Sequence, residues 1–328
     1  IVFLGFGSDL SERIVENEEL LGPFPEVNSD YIYKVTGVRR RHWASESERP
    51  SDLAERAARR AIADAGIELA QIDAVIVATV TPEVAMPSTA CILASKLGLS
   101  GIPAFDLNAA CSGWLYSVGV ARGLVNSGAA RCVLTVGVDL QSRLLDRNDR
   151  STVFLFGDGA GAAIVAAESF SERAANAPRL RWLCMACEPQ GVTWARRMFP
   201  GDRIPGLEHG TQNVDPWIRM EGTEIFRIAS RAMTDSIRMA LESTGWRAEE
   251  LTRVIPHQAN ARILRVIERH VALRPGVLYV GLEDTGNVAG GSIPVSLCGL
   301  KDELRRGDKL VFCAAGAGIT VAAAAVEW

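Results

Sequence analysis

Along the chain, continuous apolar runs alternate with segments in which apolar residues recur at helical spacing. This pattern predicts alternating strands and helices. Continuous apolar runs such as 73–80 and 131–139 are typical of strands buried on both faces, and segments with helical spacing separate them. In chain order, the pattern predicts a strand at IVFLGFG (1–7), a helix over 51–66, a strand over 73–80, a helix over 88–97, a short strand over 103–109, a helix over 111–126 and a strand over 131–139. Such alternation predicts an α/β fold.

The order of elements repeats in the second half of the chain. Three landmark pairs share one offset, since 245 − 66, 287 − 108 and 316 − 137 all equal 179; the pairs are Gly66 and Gly245, Asn108 and Asn287, and Gly137 and Gly316. We infer a duplicated α/β unit whose halves meet near residue 175. The predicted division is an N-terminal half over 1–170, a cap or loop insertion over 171–215 that is rich in Pro, Gly, Arg and Trp, and a C-terminal half over 216–328.

Composition argues against several classes of function. The 328 residues are 48% hydrophobic with a formal net charge of −4, and charges of both signs are spread without the basic run that nucleic acid would favour. The longest apolar runs are too short to span a bilayer. Seven cysteines, an odd number, favour reduced thiols in a cytoplasmic protein, and the lone C-x-x-C at Cys184 and Cys187 lacks the second pair that a zinc site needs. We therefore expect no metal, no nucleic acid and no membrane partner.

Cys111 has the sequence setting of a nucleophile. It follows a predicted strand and begins a helix rich in Ala, Gly and Val, where the helix N-terminus is expected to lower the pKa of the thiol. Small neighbours, from Ala109 to Gly113, would let a substrate approach the sulfur. Taken alone, a cysteine among small residues is more often a buried core thiol.

Two polar residues of the C-terminal half occupy comparable positions. His257 follows the apolar segment RVIP, at the carboxyl end of a strand where α/β proteins usually bind ligands, and Asn287 precedes a predicted helix. Each alone is more often structural, as a hydrogen-bonded histidine or a helix cap. Because Cys111 falls opposite Gly290 in the repeat, the loops that carry Cys111 and Asn287 are expected to converge on one site.

Two glycine-rich loops favour different interpretations. FGDGAGAAIV (156–165) superficially suggests nucleotide binding, but AAIVAAE has the pattern of a strand and not of the helix that phosphate binding requires. A nucleotide-binding oxidoreductase is therefore the weakest hypothesis. AAGAGIT (314–320) lies between two apolar strands, where such a loop can aim a backbone N–H group at a developing oxyanion.

Together these motifs resemble β-ketoacyl-ACP synthase III and its relatives over nearly the whole chain. The matching motifs are ACSG around Cys111, PHQAN at 256–260, GN at 286–287, FGDGAGAA at 156–163 and GxGxT at 316–320. The resemblance implies a thiolase-like five-layered αβαβα fold, a homodimer and no cofactor. It also implies that Met86, within TPEVAMPSTA, reaches into the acyl pocket of the partner subunit.

The resemblance further implies a condensation in two stages. Cys111 would attack an acyl thioester carried on acyl carrier protein or CoA, while the backbone N–H groups of Cys111 and Ala317 hold the oxyanion. His257 and Asn287 would then stabilise the enolate that forms when a second thioester loses CO2. Attack of this enolate on the acyl group would give a β-ketoacyl product.

The chain departs from the family pattern where the family binds the CoA nucleotide. In place of the usual W-x-x-x-R-T-G, the sequence YIYKVTG has Tyr31 and Val35 at the two key positions, while Arg150 is retained. This departure favours substrates carried on a carrier protein. Arg227 and Arg262 lie where the family presents basic residues to the acidic carrier protein.

Three positions predicted to line the substrate pocket are smaller than is common in the family. Ala315 stands where Phe is common, and Gly290 and Gly291 stand where Ala-Ala is common. We therefore expect a widened pocket and a large acyl substrate, in polyketide or related fatty acid biosynthesis, including the possibility that two long chains are joined. Two alternatives remain open: acyl transfer to an alcohol or amine, in which relatives often alter the position of Asn287, and a silent subunit resembling chain-length factors, which lose the cysteine.

Overall fold

The computed structural model describes residues 1–199, 202, 204 and 215–328. The helices are α1 (Ser29–Thr36), α2 (Pro50–Ala65), α3 (Thr89–Leu97), α4 (Gly113–Asn126), α5 (Gly222–Thr244), α6 (Ala261–Val271), α7 (Leu282–Thr285) and α8 (Ser292–Leu300). The strands are β1 (Val2–Leu10), β2 (Ile14–Glu16), β3 (Arg40–His42), β4 (Ala74–Ala78), β5 (Ala104–Leu107), β6 (Cys132–Leu140), β7 (Asp158–Ala166), β8 (Arg179–Cys187), β9 (Ala195–Arg196), β10 (Arg219–Met220), β11 (Leu251–Pro256), β12 (Lys309–Gly316) and β13 (Thr320–Glu327). The predicted alternation of helices and strands is confirmed.

One mixed sheet of nine strands runs through both halves of the chain, in the order β11-β12-β13-β8-β1-β7-β6-β4-β5. In the N-terminal part, β4 pairs parallel with β6, and β6–β7 and β7–β1 are antiparallel. In the C-terminal part, β11 pairs parallel with β12, and β12–β13 and β13–β8 are antiparallel. The two parts therefore share one pairing pattern, and they join where β1 meets β8 through Val2 and Arg179.

The prediction that residues 171–215 form a cap or loop insertion is wrong for part of this segment. Residues 179–187 form β8, which pairs with β13 along its whole length and completes the C-terminal part of the sheet. The alternation in RLRWLCMAC is irregular, so the sequence pattern did not distinguish this strand from a loop. Residues 200, 201, 203 and 205–214 of the predicted cap lie outside the described residues.

Five layers follow from the way the helices pack. Helices α2 and α3 cover the outer face of the N-terminal strands, and α5 and α6 cover the outer face of the C-terminal strands. Between the two sets of strands lie α4 and α8, whose residues share one apolar core with strands of both halves, including the fully buried Trp114 and Phe312. The sequences of α4 and α8 are accordingly mostly apolar, although the C-terminal end of α4 is exposed at Gly123. The predicted five-layered αβαβα fold is confirmed.

The internal repeat is visible at the ends of corresponding helices. Helix α2 ends at Gly66 and α5 ends at Gly245, and both glycines adopt the left-handed conformation, with φ of 64° and 69°. A left-handed residue after a helix is the usual position for glycine, which has no Cβ to clash. Over the described ranges, no helix is long and apolar enough to cross a membrane.

The repeat extends to two unusual backbone turns. Asn108 Oδ1 accepts a hydrogen bond from the Ala110 backbone N–H (3.2 Å), and Asn287 Oδ1 accepts one from the Ala289 N–H (2.9 Å). Ala110 and Ala289 both have positive φ, 46° and 44°, a conformation that costs a residue with a Cβ about 1–2 kcal/mol. Each alanine opens a single turn of 3-10 helix, over Ala110–Ser112 and Ala289–Gly291, that leads into α4 or α8. Cys111 lies in the first of these turns.

Glycines let the two turns interlock with the opposite half of the repeat. A Cβ on Gly137 in β6 would lie 2.4 Å from the carbonyl oxygen of Gly290. A Cβ on Gly316 at the end of β12 would lie 2.7 Å from the backbone nitrogen of Cys111. The two contacts are related by the same 179-residue offset, so each half supports the turn of the other.

The close approach at Gly137 predicts a specific loss of stability. Gly137→Ala would force its methyl group against the Gly290 carbonyl and should lower the free energy of unfolding by about 1–3 kcal/mol. Gly123→Ala is the control, because Gly123 is exposed on α4 with open space around the new methyl group. That change should stabilise the protein by about 0.5–1 kcal/mol. Denaturant unfolding of both variants checks the prediction, and equal midpoints would contradict it.

Candidate active site

Cys111, His257 and Asn287 line one cavity of about 800 Å³ between the halves of the fold. Cys111 is carried by the turn before α4, His257 directly follows β11, and Asn287 lies between α7 and the turn of residues 289–291. The strand end and the two repeated turns therefore bring together the three residues that the sequence predicted as one site. A cavity of this size is within the range of small-molecule binding sites.

The loop that carries Cys111 is fastened to the turn between β12 and β13. Thr320 Oγ1 donates a hydrogen bond to the Ala109 carbonyl (2.7 Å), and Ser112 Oγ donates one to the Thr320 carbonyl (3.0 Å). Ala317, in the same turn, is partly exposed and lines the cavity with Cys111. This arrangement keeps the backbone of residues 316–317 beside the thiol.

The electrostatic environment of Cys111 differs from the sequence expectation. Burial and the nearby carboxyl group of Asp139 raise the pKa of the thiol to about 12, and a hydrogen bond from the backbone lowers it by less. The pKa of the thiol is therefore shifted in the direction opposite to the one expected at a helix start, and burial is the largest cause. Cys111 holds its proton at neutral pH, so attack on a carbonyl must be accompanied by proton loss.

His257 is held neutral and fixed in orientation. Its backbone N–H donates to the Cys313 carbonyl (2.7 Å), and its ring Nδ1 lies 2.7 Å from Ser292 Oγ. Ser292 Oγ also accepts from the Gln258 N–H (3.3 Å), so its own proton is available to Nδ1. When the Ser292 hydroxyl donates to Nδ1, the ring proton is on Nε2, which can donate a hydrogen bond to a carbonyl oxygen in the cavity. Burial lowers the pKa of His257 to about 3.

Asn287 is fixed through its backbone and its side chain. The Asn287 N–H donates to the Leu155 carbonyl (2.9 Å), and the Gly157 N–H donates to the Asn287 carbonyl (3.0 Å). The side-chain Oδ1 accepts a hydrogen bond from the Ala289 backbone N–H, and Nδ2 donates one long hydrogen bond to the Ala259 carbonyl (3.4 Å). A carboxamide nitrogen has two protons, so Asn287 keeps donor capacity for a ligand in the cavity.

Asp139 is a supporting residue that the sequence reasoning missed. Its buried carboxylate accepts hydrogen bonds from the backbone N–H groups of Val80 (2.8 Å) and Gly290 (3.0 Å) and from the hydroxyl groups of Thr79 (3.2 Å) and Thr81 (3.3 Å). Burial raises its pKa to about 6 in spite of these four donors. An acidic residue within the otherwise apolar strand CVLTVGVDL was a signal that could have found it.

The predicted substrate pocket is partly wrong. Ala315 lines the cavity as predicted. Gly290 and Gly291 are buried and do not line the cavity, because they face β6 in the opposite half. A Cβ on Gly290 would lie 3.3 Å from Asp139 Oδ2, and one on Gly291 would lie 3.1 Å from the Gly137 carbonyl oxygen. Their small size serves backbone packing and does not widen the pocket.

The predicted entrance residues do not form one cluster around the cavity. Arg262 is exposed, lines the cavity, and has its guanidinium 5.7 Å from the ring centre of Phe226. Tyr31, Arg150 and Arg227 lie outside the cavity wall. Arg150 is 3.5 Å from Glu26, and Arg227 is 2.8 Å from Glu224, as ordinary exposed ion pairs.

Part of the cavity rim comes from the segment that was predicted as a cap. Residues of the predicted cap do line the cavity, and the sequence reasoning did not single them out: Ala195, Arg196, Arg197 and Phe199. Met86 is 87% exposed, so its predicted contact with a partner subunit stays a prediction. Within the described part of the chain, no group of three or more His, Cys, Asp or Glu side chains could hold a metal ion.

The layered fold and the shared cavity define a condensing enzyme of the thiolase fold. Profiles of 3-oxoacyl-(acyl-carrier-protein) synthase III match residues 105–178, and those of its C-terminal part match residues 241–328. A relative named β-ketoacyl-(acyl-carrier-protein) synthase III, from Bordetella petrii, is 35% identical over 97% of this chain and 95% of its own. The chain belongs to the β-ketoacyl-ACP synthase III family, a family of condensing transferases.

Solved structures agree with this assignment over the whole length. The β-ketoacyl-(acyl carrier protein) synthase III of Thermus thermophilus superposes with a TM-score of 0.91 at 32% identity, covering 100% of this chain and 99% of that one. The priming β-ketosynthase of the R1128 polyketide biosynthetic pathway superposes with a TM-score of 0.89 at 31% identity, covering 99% and 95%. The predicted resemblance is confirmed.

The low pKa of His257 predicts how stability depends on pH. The unfolded chain protonates this histidine as the pH falls through 6.5, whereas the folded protein does so only near pH 3. Since the unfolded state then binds more protons, His257 should lower the free energy of unfolding by roughly 1 kcal/mol for each pH unit below 6.5.

Denaturant unfolding between pH 7 and pH 4 checks this expectation. His257→Asn should lose less stability on acidification than the wild type. His270→Asn, which changes an exposed histidine on α6, is the control and should follow the wild-type profile. Superimposable profiles for all three proteins would show that His257 does not carry the effect.

Proposed function

We propose that this protein is a β-ketoacyl synthase that joins a Cys111-bound acyl group to a second thioester by Claisen condensation. The observation that carries the proposal is the meeting of a thiol, a neutral imidazole and a carboxamide in one cavity between duplicated halves. Membership of the synthase III family supports the same reaction class.

In the first stage, the sulfur of Cys111 bonds to the acyl carbonyl carbon and the thioester C–S bond of the donor breaks. The proton of the Cys111 thiol ends on the released thiol. The backbone N–H groups of Cys111 and Ala317 hold the tetrahedral oxyanion, a role supported by the hydrogen bonds that fasten residue 320 to the Cys111 loop.

In the second stage, a carboxylated thioester loses CO2 and its electron pair forms an enolate. Nε2–H of His257 and Nδ2 of Asn287 donate hydrogen bonds to the enolate oxygen. The enolate carbon then attacks the acyl carbonyl, the bond to the Cys111 sulfur breaks, and the thiolate takes up a proton. A histidine with a pKa of about 3 remains neutral throughout, so it acts as a hydrogen-bond donor and never as a cation.

Acyl carrier protein is the proposed carrier of the substrates, since the names of the relatives specify it. Arg262 is the basic residue at the cavity rim that would meet its acidic surface, and CoA thioesters remain possible donors. The protein is proposed to act in the cytoplasm as a homodimer in which the exposed Met86 packs on the partner subunit. Among the four predicted entrance residues, Tyr31, Arg150 and Arg227 receive no support from the cavity wall.

The proposed acyl substrate is large and belongs to polyketide or related biosynthesis. The small Ala315 lies in the wall of the cavity of about 800 Å³ that also contains Cys111, and this supports a large acyl group. The structural likeness to a priming ketosynthase of a polyketide pathway favours the same area of metabolism. The alternatives are the joining of two long chains, or acyl transfer to an alcohol or amine, against which the retained Asn287 argues.

Intact-mass spectrometry after incubation with acyl-carrier-protein thioesters tests the first stage. The wild type should gain the mass of one acyl group, and Cys111→Ala should gain none. Cys184→Ala, which changes a half-buried thiol outside the cavity wall, is the control and should still be acylated. An adduct that persists in Cys111→Ala would show that Cys111 is not the nucleophile.

Product analysis tests the second stage in the same proteins. His257→Ala and Asn287→Ala should still take up the acyl group but should form carbon–carbon products about 100-fold more slowly, the loss typical of one oxyanion donor. If both variants condense at the wild-type rate, the proposed roles are wrong. If acylation occurs but the acyl group appears on an alcohol or amine, the alternative transferase function is correct.

The size of the residue at position 315 predicts acyl-chain selectivity. Ala315→Phe would fill part of the cavity, so kcat/KM for an octanoyl thioester should fall at least tenfold more than kcat/KM for an acetyl thioester. Ala129→Phe, an exposed position after α4, is the control and should leave the ratio unchanged. If kcat/KM falls equally for both thioesters, the acyl chain does not lie beside position 315.

A further inference from the structure

The inner wall of the cavity contains a glutamine that the proposed mechanism does not use. Gln141 begins the single turn of 3-10 helix that follows β6 and is only 2% exposed, yet it lines the same cavity as Cys111. Arg262, by contrast, is exposed at the rim where a carrier arm would enter. Burial therefore places Gln141 on the side of the acyl group and not on the side of the carrier.

The amide group of Gln141 makes no hydrogen bond to any described residue. Its Oε1 is buried without a partner among the described residues. Two other buried polar side chains are fully paired. Asp139, two residues earlier, has four donors, and the amide of Gln258 bonds to the Pro256 carbonyl (2.8 Å) and to the Gly281 N–H (2.8 Å).

An unsatisfied buried amide costs about 1–3 kcal/mol, which an apolar side chain would avoid. The wall of the same cavity includes the apolar residues Val80, Leu144, Leu155 and Phe156. A plain alkyl chain would leave the amide of Gln141 unpaired, whereas an oxygen atom on the chain would pair with it. A hydroxyl or keto oxygen in the cavity can accept a hydrogen bond from Nε2, which is not among the fully buried atoms.

We propose that the acyl group carried by Cys111 bears a hydroxyl or keto oxygen, which Gln141 recognises through a hydrogen bond inside the cavity. This inference rests on the proposed function, because it concerns the acyl group that the synthase accepts. It narrows the substrate class from large acyl chains to oxygenated ones.

The test measures kcat/KM for acylation of Cys111 by octanoyl thioesters that carry one hydroxyl or keto oxygen at the third, fifth or seventh carbon, with plain octanoyl thioester as reference. At least one oxygenated thioester should be preferred by the wild type roughly tenfold, the value of one hydrogen bond to a buried group. Gln141→Met keeps the length of the side chain without its amide and should reduce this preference to within about twofold.

Two further variants make the result decisive. Gln141→Leu should behave like Gln141→Met and replaces it if that variant does not fold. Gln190→Met is the control, since Gln190 is exposed and bonds to Glu188, and it should keep the wild-type preference. Both Gln141 variants should also melt at a temperature no lower than the wild type without substrate, because they remove an unpaired buried amide.

The possible outcomes separate this inference from the proposed function. If plain and oxygenated thioesters acylate the wild type equally well, or if the preference survives in both Gln141 variants, the role of Gln141 is overturned while the synthase assignment stands. If no thioester acylates Cys111, the proposed function fails and this inference fails with it.

Discussion

The fold depends on the close approach of two backbone turns to the strands of the opposite half. Gly137 and Gly316 carry no Cβ, so the turn of residues 289–291 and the turn of residues 110–112 can each lie directly against a strand. Any side chain at these glycines would push the turns apart and separate the loops of Cys111 and Asn287. The geometry of the cavity is therefore a result of backbone packing, and the functional side chains are placed by it.

Much of this arrangement could be predicted because it repeats locally in the sequence. Gly66 and Gly245 end equivalent helices, and Asn108 and Asn287 hold equivalent turns, so one offset revealed the duplication. Apolar runs identified the buried strands. The motifs around Cys111 and His257 then indicated one site, because both follow strands that end at the same place in the fold.

Other features could not be predicted because they depend on packing between distant segments. The direction in which Gly290 and Gly291 face is set by Asp139 and Gly137, about 150 residues earlier in the chain. The pKa of Cys111 is raised mainly by burial, which the local sequence does not reveal. The cavity wall takes Arg197 and Phe199 from a segment with no regular pattern, whereas the predicted Arg227 forms a surface ion pair with Glu224.

The two interlocked turns are equivalent in backbone but differ in the side chains that they present. Gly290 is the counterpart of Cys111 in the repeat, and the space beside it is occupied by the carboxylate of Asp139. The counterpart of Asp139 is Gly318, since 318 − 139 = 179, and it brings no side chain toward the thiol. The two halves therefore differ at this pair of positions, since an acid stands in one half where a glycine stands in the other. If Cys111 is acylated as proposed, one acyl group per chain is expected, because the corresponding position in the other half is Gly290.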